Sequence, residues 1–246
     1  MSNSADPGSS PRTALVTGAT SGIGRAVAVR LAEDGFHVLV HGRDAERGAD
    51  VVREIEKNGG SAAFLAADLT DIHAIEQLAA SAGEVEVLVN NAGFAWFGPT
   101  PDLTPATFDD LFAANVRSAY FLVAALAPKM AERGSGSIIN VGSMAGQIGL
   151  AGGAAYSATK ASLAAFTRAW AAEFSARGVR VNTISPGPVY TGGAAQERTT
   201  ALGETTLLAR AAQAEEIADV IGFLASPASS YITGAVIPAD GGRTAV

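Results

Sequence analysis

Tyr156 and Lys160 stand four residues apart in Tyr-Ser-Ala-Thr-Lys, a spacing that puts both side chains on one face of a helix. An unperturbed tyrosine, with a pKa of about 10, moves protons poorly at neutral pH. An ammonium beside the ring stabilises the phenolate and lowers that pKa. The pair therefore predicts a phenol that gives a proton to a carbonyl oxygen or takes one from an alcohol. Ser143 precedes Tyr156 by thirteen residues, at the end of a β-prone run, where its hydroxyl can hydrogen-bond a developing alkoxide. Taken singly, such residues also occur on ordinary surface helices and turns; their conjunction carries the chemistry.

A second constellation lies near the N-terminus. The run Thr-Ala-Leu-Val-Thr leads directly into Gly18-Ala19-Thr20-Ser21-Gly22-Ile23-Gly24, and a helical pattern follows. Glycines allow a tight turn and close approach of a pyrophosphate, and the helix start offers free N–H groups and a positive dipole end. The spacing is G-x-x-x-G-x-G, not G-x-G-x-x-G, and a purely structural turn is the other reading. As a dinucleotide site it assigns Gly18, Thr20, Ser21, Gly22, Ile23 and Gly24 to cofactor binding. An acid at the end of the second strand would bind the ribose hydroxyls of NAD and repel a 2′-phosphate. Here that strand ends Val40-His41-Gly42-Arg43-Asp44, with no acid at His41, and the planar guanidinium of Arg43 can fork a phosphate. NADP(H) is therefore expected over NAD(H). The alternative is a solvated Arg43 pairing with Asp44 or Glu46. Asp44 itself is expected to cap the next helix.

These residues need a scaffold. Continuous apolar runs at 13–16, 38–40, 62–65, 85–89, 137–141, 179–184 and 235–238 suit strands covered on both faces. Helical patterns fill 22–34, 45–57, 72–82, 105–132, 156–176 and 214–224. The alternation predicts an α/β chain: a single-domain Rossmann fold with a seven-stranded parallel sheet and helices on both faces. Residues 1–10 read as a flexible polar tail and 11–246 as the domain. The least regular stretch, 186–210, is expected to include a mobile loop. Apolar residues make up 48% of the 246, ample for a core, and the net charge of −7 argues against nucleic acid or an anionic membrane surface as partner. No stretch approaches about 18 continuous apolar residues, so no membrane span is expected. The chain has no cysteine, which excludes thiolate chemistry and fits a reducing, cytoplasmic setting. His37 and His41 fall in one strand and His73 near a helix start, so no metal site is expected.

Asn90-Asn91-Ala92-Gly93 after the fourth strand, Ser143 after the fifth, Tyr156 with Lys160 opening a helix, and Pro186-Gly187 after the sixth join the glycine turn in one order. The chain from 11 to 243 thereby resembles the short-chain dehydrogenase/reductase superfamily. It is most similar to bacterial 3-oxoacyl-[acyl-carrier-protein] reductases and polyketide ketoreductases, through Ala-Arg-Gly-Val-Arg-Val-Asn-Thr-Ile-Ser-Pro-Gly, Tyr231-Ile232-Thr233-Gly234 and Asp240-Gly241-Gly242. The resemblance implies that Asn115, Ser143, Tyr156 and Lys160 are catalytic. In it Lys160 also binds the nicotinamide ribose, alongside Tyr156, and Asn115 holds a water linking Lys160 to solvent. It further implies that Asp68 and Leu69 meet adenine, and that Asn91, Ala92 and Gly93 line the adenosine ribose. Pro186, Gly187, Val189 and Thr191 would flank the nicotinamide. Members often carry Pro or an acid after that threonine; Gly192-Gly193 here suggests a more flexible loop.

Substrate contacts are expected from Phe94, Trp96, Ser143, Ala145 and Tyr156. Phe94-Ala95-Trp96-Phe97 would favour a flat or lipophilic ketone, unless it simply packs under its loop. The expected activity is NADPH-dependent reduction of a 3-oxoacyl, polyketide-like or other lipophilic ketone, small-molecule or acyl-thioester. The alternatives are an NAD-dependent oxidative dehydrogenase of a secondary alcohol or sugar, and a non-catalytic dinucleotide sensor. The resembling reductases dock an acyl carrier protein through basic residues near the active-site mouth, and Arg133 and Arg177 fall in comparable places in the chain; solvated helix-end charges are the other reading. Leu163, Phe166, Trp170 and Phe174 recur at helical spacing as a core stripe. Ala158, Ala161 and Ala165 leave room for close helix pairing, and the resemblance implies a homotetramer.

Overall fold

Strands with no polar face must be covered twice, and the protein achieves this with one parallel sheet between two helical layers. The structure is a computed structural model describing residues 12–192 and 196–246; the tail expected at 1–10 lies outside the described residues. In chain order the strands are β1 (Thr13–Val16), β2 (His37–Gly42), β3 (Ser61–Ala66), β4 (Val87–Asn90), β5 (Gly136–Val141), β6 (Val179–Pro186), the short β7 (Val189–Tyr190) and β8 (Ala212–Gln213), and β9 (Val236–Ala239). The helices are α1 (Gly22–Glu33), α2 (Ala45–Lys57), α3 (Ile72–Ala82), α4 (Pro105–Phe112), α5 (Ser118–Arg133), α6 (Ala154–Phe174), α7 (Gln196–Gly203) and α8 (Ala214–Ala225).

The main sheet has seven parallel strands in the order β3-β2-β1-β4-β5-β6-β9. Strand order reverses between β1 and β4, which opens a crevice beyond their carboxyl ends, the expected ligand position of such a sheet. One face is covered by α1, α2 and α8 through Val27, Leu31, Val51, Ile55, Ile217 and Ile221. The other is covered by α3, α5 and α6 through Leu78, Leu122, Leu126, Trp170 and Phe174. Of the stripe expected on α6, Leu163, Trp170 and Phe174 are buried and Phe166 is half-buried. Full burial of one such side chain stabilises by about 1.5–3 kcal/mol, so each face holds the sheet many times over before chain entropy is counted.

One local expectation is corrected. The single helix expected over 105–132 is α4 and α5 joined by a π-helical turn, Ala113–Arg117, and it continues past Pro128 to Arg133. By length and composition alone the run Pro105–Arg133 could cross a membrane; half of its most apolar window is buried within the protein. The least regular stretch, 186–210, contains β7 and α7, and β7 pairs with β8 as a separate two-stranded ribbon. Helix α7 is short and has only a weakly apolar face, so periodicity gave little to read.

Candidate active site

The glycine turn leaves β1 and enters α1 at the crevice. Gly18 has φ +64°, and a Cβ there would stand 2.9 Å from Ala92 Cα; a Cβ on Gly24 would stand 2.2 Å from the Gly18 carbonyl oxygen. The chain can close this tightly only without side chains. Ser21 is the N-cap of α1, and its side chain makes no capping bond, which leaves the hydroxyl and the first N–H groups of α1 for a ligand. Asn91 braces the turn from β4: its Nδ2 donates to the carbonyls of Thr17 (2.8 Å) and Gly18 (3.1 Å). Thr17 Oγ1 accepts from the Asn91 and Ala92 N–H groups at 3.0 Å each. Thr17 was not among the expected site residues; its position at the end of β1 was the signal available.

His41 was expected only as the place where an acid is missing, and it does more. Gly18 N–H donates to its Nδ1 at 3.2 Å, and its Nε2 meets the Ala67 carbonyl at 3.2 Å. The ring is 3% exposed, and burial pulls its pKa down to about 4, so the neutral Nε2–H tautomer fits both contacts. Arg43 beside it is exposed and forms no salt bridge among the described residues. Asp44 instead caps α2 by accepting from the N–H groups of Glu46 and Arg47 at 3.1 Å each, and it pairs with Arg47 at 2.8 Å. The alternative pairing of Arg43 with Asp44 or Glu46 is thus not the one formed.

A cavity of about 440 Å³ is lined by Gly18, Thr20, Ser21, Gly22, Ile23, Gly24, Arg43, Asp68, Leu69, Asn91, Ala92 and Gly93, all expected at the adenosine and pyrophosphate end. A second, of about 330 Å³, is lined by Ser143, Tyr156, Lys160, Pro186, Gly187, Val189 and Thr191. Ile23, Asn91, Gly93, Phe94 and Thr191 line both, which joins them into one cleft along the carboxyl ends of the strands. The glycine cradle, the uncommitted Ser21 hydroxyl and Arg43, whose charge reaches Asp68 without a salt bridge, fit an extended dinucleotide phosphate.

Three candidate catalytic groups meet in the second cavity. Ser143 Oγ accepts from Ala145 N–H at 3.1 Å, which leaves its own hydrogen to donate. Lys160 is 7% exposed; its Nζ donates to the Val141 carbonyl at 2.8 Å and lies 5.8 Å from the Tyr156 ring centroid. Burial lowers its pKa to about 8. The Tyr156 phenol departs from expectation: burial raises its pKa, opposed only by the Ser143 side chain. Lys160 is committed to a backbone carbonyl, so desolvation of the phenol prevails over the ammonium.

Asn115 sits in the π turn and is 2% exposed. Its Oδ1 accepts from Phe94 N–H at 3.0 Å, and its Nδ2 donates to Phe94 O at 2.9 Å and Thr159 Oγ1 at 3.1 Å. Thr159 Oγ1 in turn donates to the Tyr156 carbonyl at 2.7 Å. The Asn115 side chain thus clamps the Phe94 loop to α6 and makes no hydrogen bond to Lys160. Of the expected substrate contacts, Phe94 is 43% exposed and lines both cavities. Ala145 is buried at 3% and Trp96 is half-buried against Gly98, and neither is among the cavity walls. Phe97 packs against Tyr156 instead, with centroids 5.5 Å apart.

Arg133 and Arg177 do not stand at the mouth of the cleft. Arg133 donates to the carbonyls of Val85 (2.8 Å) and Ser135 (3.2 Å), and Arg177 lies over Phe174, next to the start of β6. These are amino ends of strands, and in a parallel sheet they lie at the edge opposite the cleft.

A family model described as short chain dehydrogenase matches residues 12–202. Cis-4-hydroxycyclohexanecarboxylate dehydrogenase of Sinomonas cyclohexanicum is 38% identical over 244 residues, covering 96% of this chain and 97% of the relative. The 3-oxoacyl-[acyl-carrier-protein] reductase FabG of Staphylococcus aureus is 34% identical over 239 residues, covering 94% and 97%. Among solved structures, the angucycline C-6 ketoreductase LanV with bound NADP superposes with a TM-score of 0.89 at 32% identity, covering 96% of each chain.

Proposed function

We propose, from the premise that the chain belongs to the short-chain dehydrogenase family, that this NAD(P)-dependent oxidoreductase reduces a lipophilic ketone with NADPH. The convergence of Ser143, Tyr156 and Lys160 on one cavity at the carboxyl ends of the strands carries the proposal. When bound, the nicotinamide supplies the hydride. Ser143 donates a hydrogen bond to the carbonyl oxygen and strengthens it as charge develops there. Tyr156 gives its proton to that oxygen. Its raised pKa keeps the phenol protonated at neutral pH, which suits the reductive direction. Lys160, with a pKa of about 8, remains largely charged at pH 7 and keeps two N–H groups free beyond its bond to Val141. Asn115 and Thr159 hold the Phe94 wall and the first turn of α6 in register. Preference for NADPH is supported by Arg43, whose charge reaches Asp68 without a salt bridge, and by the absence of an acid at His41.

Oxidation of a secondary alcohol with NAD is the second reading, favoured by the Sinomonas relative named as a dehydrogenase. The proposed substrate class includes 3-oxoacyl thioesters, since the Staphylococcus relative is by name a reductase of the carrier-bound form. A carrier protein is proposed to dock only on a face built from more than one protomer, given where Arg133 and Arg177 stand. We further propose a cytoplasmic homotetramer; the exposed Phe108, Tyr120 and Phe121 beside the small-residue face of α6 support it.

The test is a reductase screen of acyl-thioester, cyclic and aromatic ketones with both cofactors, repeated with Tyr156→Phe. Turnover with lower KM for NADPH than NADH is expected, with loss of turnover but retained NADPH binding in the variant. Tight NADPH binding without reduction of any ketone would favour the sensor. More than a tenth of wild-type activity in Tyr156→Phe would remove the phenol from the mechanism.

A further inference from the structure

One cation beside the cleft has no task in this reaction. Arg198 lies on α7, which is tied to β7 through the Tyr190 hydroxyl and Thr200 Oγ1 at 2.9 Å. The Arg198 guanidinium sits over the Phe97 ring, 4.6 Å from its centroid, and Phe97 packs on Tyr156 at 5.5 Å. Arg198 is exposed and has no ion-pair partner among the described residues, neighbouring Glu197 included. The chain around the mouth is otherwise uncharged: 91–101, 142–155 and 185–195 contain no Asp, Glu, Lys or Arg. Lys160 lies buried beneath and is bonded to Val141.

We propose that Arg198 is a substrate-binding residue that forks a carboxylate on the ketone, so that the physiological substrate class is a keto acid and not a neutral ketone. The inference deepens the carbonyl-reductase reading and rests on it. A guanidinium lying over a ring keeps its N–H edges free, and their planar fork matches the two oxygens of a carboxylate. Aromatic and small apolar walls screen the pair less than open water would. Phe97 stands between the cation and the phenol, so the carboxylate must lie several bonds from the reacting carbonyl, with a ring or chain along the Phe97 side. That geometry disfavours 2-oxo acids, whose two groups are adjacent.

The experiment compares a cyclic keto acid with its methyl ester, a matched pair differing only in charge. Steady-state constants are measured for wild type, Arg198→Ala and Arg198→Lys, with a neutral ketone as reference. Wild type is expected to favour the acid by tenfold or more, through KM. Arg198→Ala should raise KM for the acid at least tenfold while leaving kcat, the ester and the neutral ketone within about twofold; Arg198→Lys should restore part of the loss. Equal use of acid and ester by wild type, or equal losses on both in Arg198→Ala, would overturn the assignment while neutral-ketone turnover leaves the reductase reading standing. So would a loss confined to a phosphate-bearing 3-oxoacyl thioester of coenzyme A. If no ketone of either charge is reduced, the reductase reading falls and this inference with it.

Discussion

Lowering the pH should weaken the fold through His41 before the carboxylates contribute. Its imidazole accepts from Gly18 N–H and is held near pKa 4 by burial, against 6.5 in the unfolded chain. Above about pH 7 it is neutral in both states and exerts no pH dependence. Between 6.5 and 4 the unfolded chain binds a proton that the folded one refuses, so stability falls as pH falls, by up to about 1.4 kcal/mol per unit. The full difference is about 3 kcal/mol, reached near pH 4. For a domain whose total stability is of order 10 kcal/mol this is a large share. Protonation would also replace the acceptor facing Gly18 with a donor, so the glycine turn should loosen with it.

His41→Asn offers an oxygen to Gly18 N–H and does not titrate. At pH 7.5 the variant should be less stable by about 1 kcal/mol, the worth of the lost contact with Ala67. Urea unfolding at matched protein concentration from pH 7.5 to 4.5 should show the wild type losing ground until the two curves cross. The lowered carboxyls of Asp44 and Glu216 also give stability that is lost as pH falls, but in a lower window, and they are common to both proteins; Asp68 interacts with His41, so its part goes with the imidazole. The difference therefore reports the imidazole together with its interaction with Asp68. Parallel curves throughout, or an imidazole resonance of His41 titrating near 6.5 in the folded protein, would refute the reasoning.

Arg43→Ala should weaken NADPH by about 10- to 100-fold, the worth of one charge-assisted fork, and NADH by little; equal losses in a fluorescence titration would deny it the 2′-phosphate. Gly24→Ala should abolish dinucleotide binding, because its Cβ would stand 2.2 Å from the Gly18 carbonyl oxygen; binding within threefold of wild type would mean the turn can open. Ala209 has φ +51°, the sole positive φ outside glycine among the described residues, so Ala209→Gly should stabilise by about 1 kcal/mol in urea unfolding, and an unchanged or lower midpoint would show no strain there.

What could be read in advance follows from which forces are local. The seven strand runs announced themselves because a strand covered on both faces has no polar alternation, and their boundaries shifted by only a residue or two in the structure. The candidate set was legible because Ser143, Tyr156 and Lys160 sit at strand and helix ends whose order the chain fixes, and the structure brings them to one cavity. The π turn was not, because its residues are as helical and apolar as those around it. The burial of Asn115 and its bonds to Phe94 and Thr159 depend on partners 21 and 44 residues away. The second role of His41 escaped for the same reason: its two ring contacts reach 23 and 26 residues along the chain. Arg198 was passed over because the helix that carries it lay in a stretch without periodicity.

The sign of the Tyr156 shift shows what spacing alone leaves open. From spacing alone, an ammonium one helical turn away should draw the phenol pKa down. Spacing says nothing of where the ammonium points. Here Nζ is turned to the Val141 carbonyl, and the walls that shape the cavity strip water from the phenol, so the neutral form is favoured. A protonated phenol is what reduction requires at the moment the carbonyl oxygen gains charge, whereas oxidation would need the phenolate. If the ammonium worked on the phenol at neutral pH, alcohol oxidation would gain most. Burial thus acts on both groups in the direction of the neutral form, raising the phenol pKa and lowering that of Lys160 to about 8.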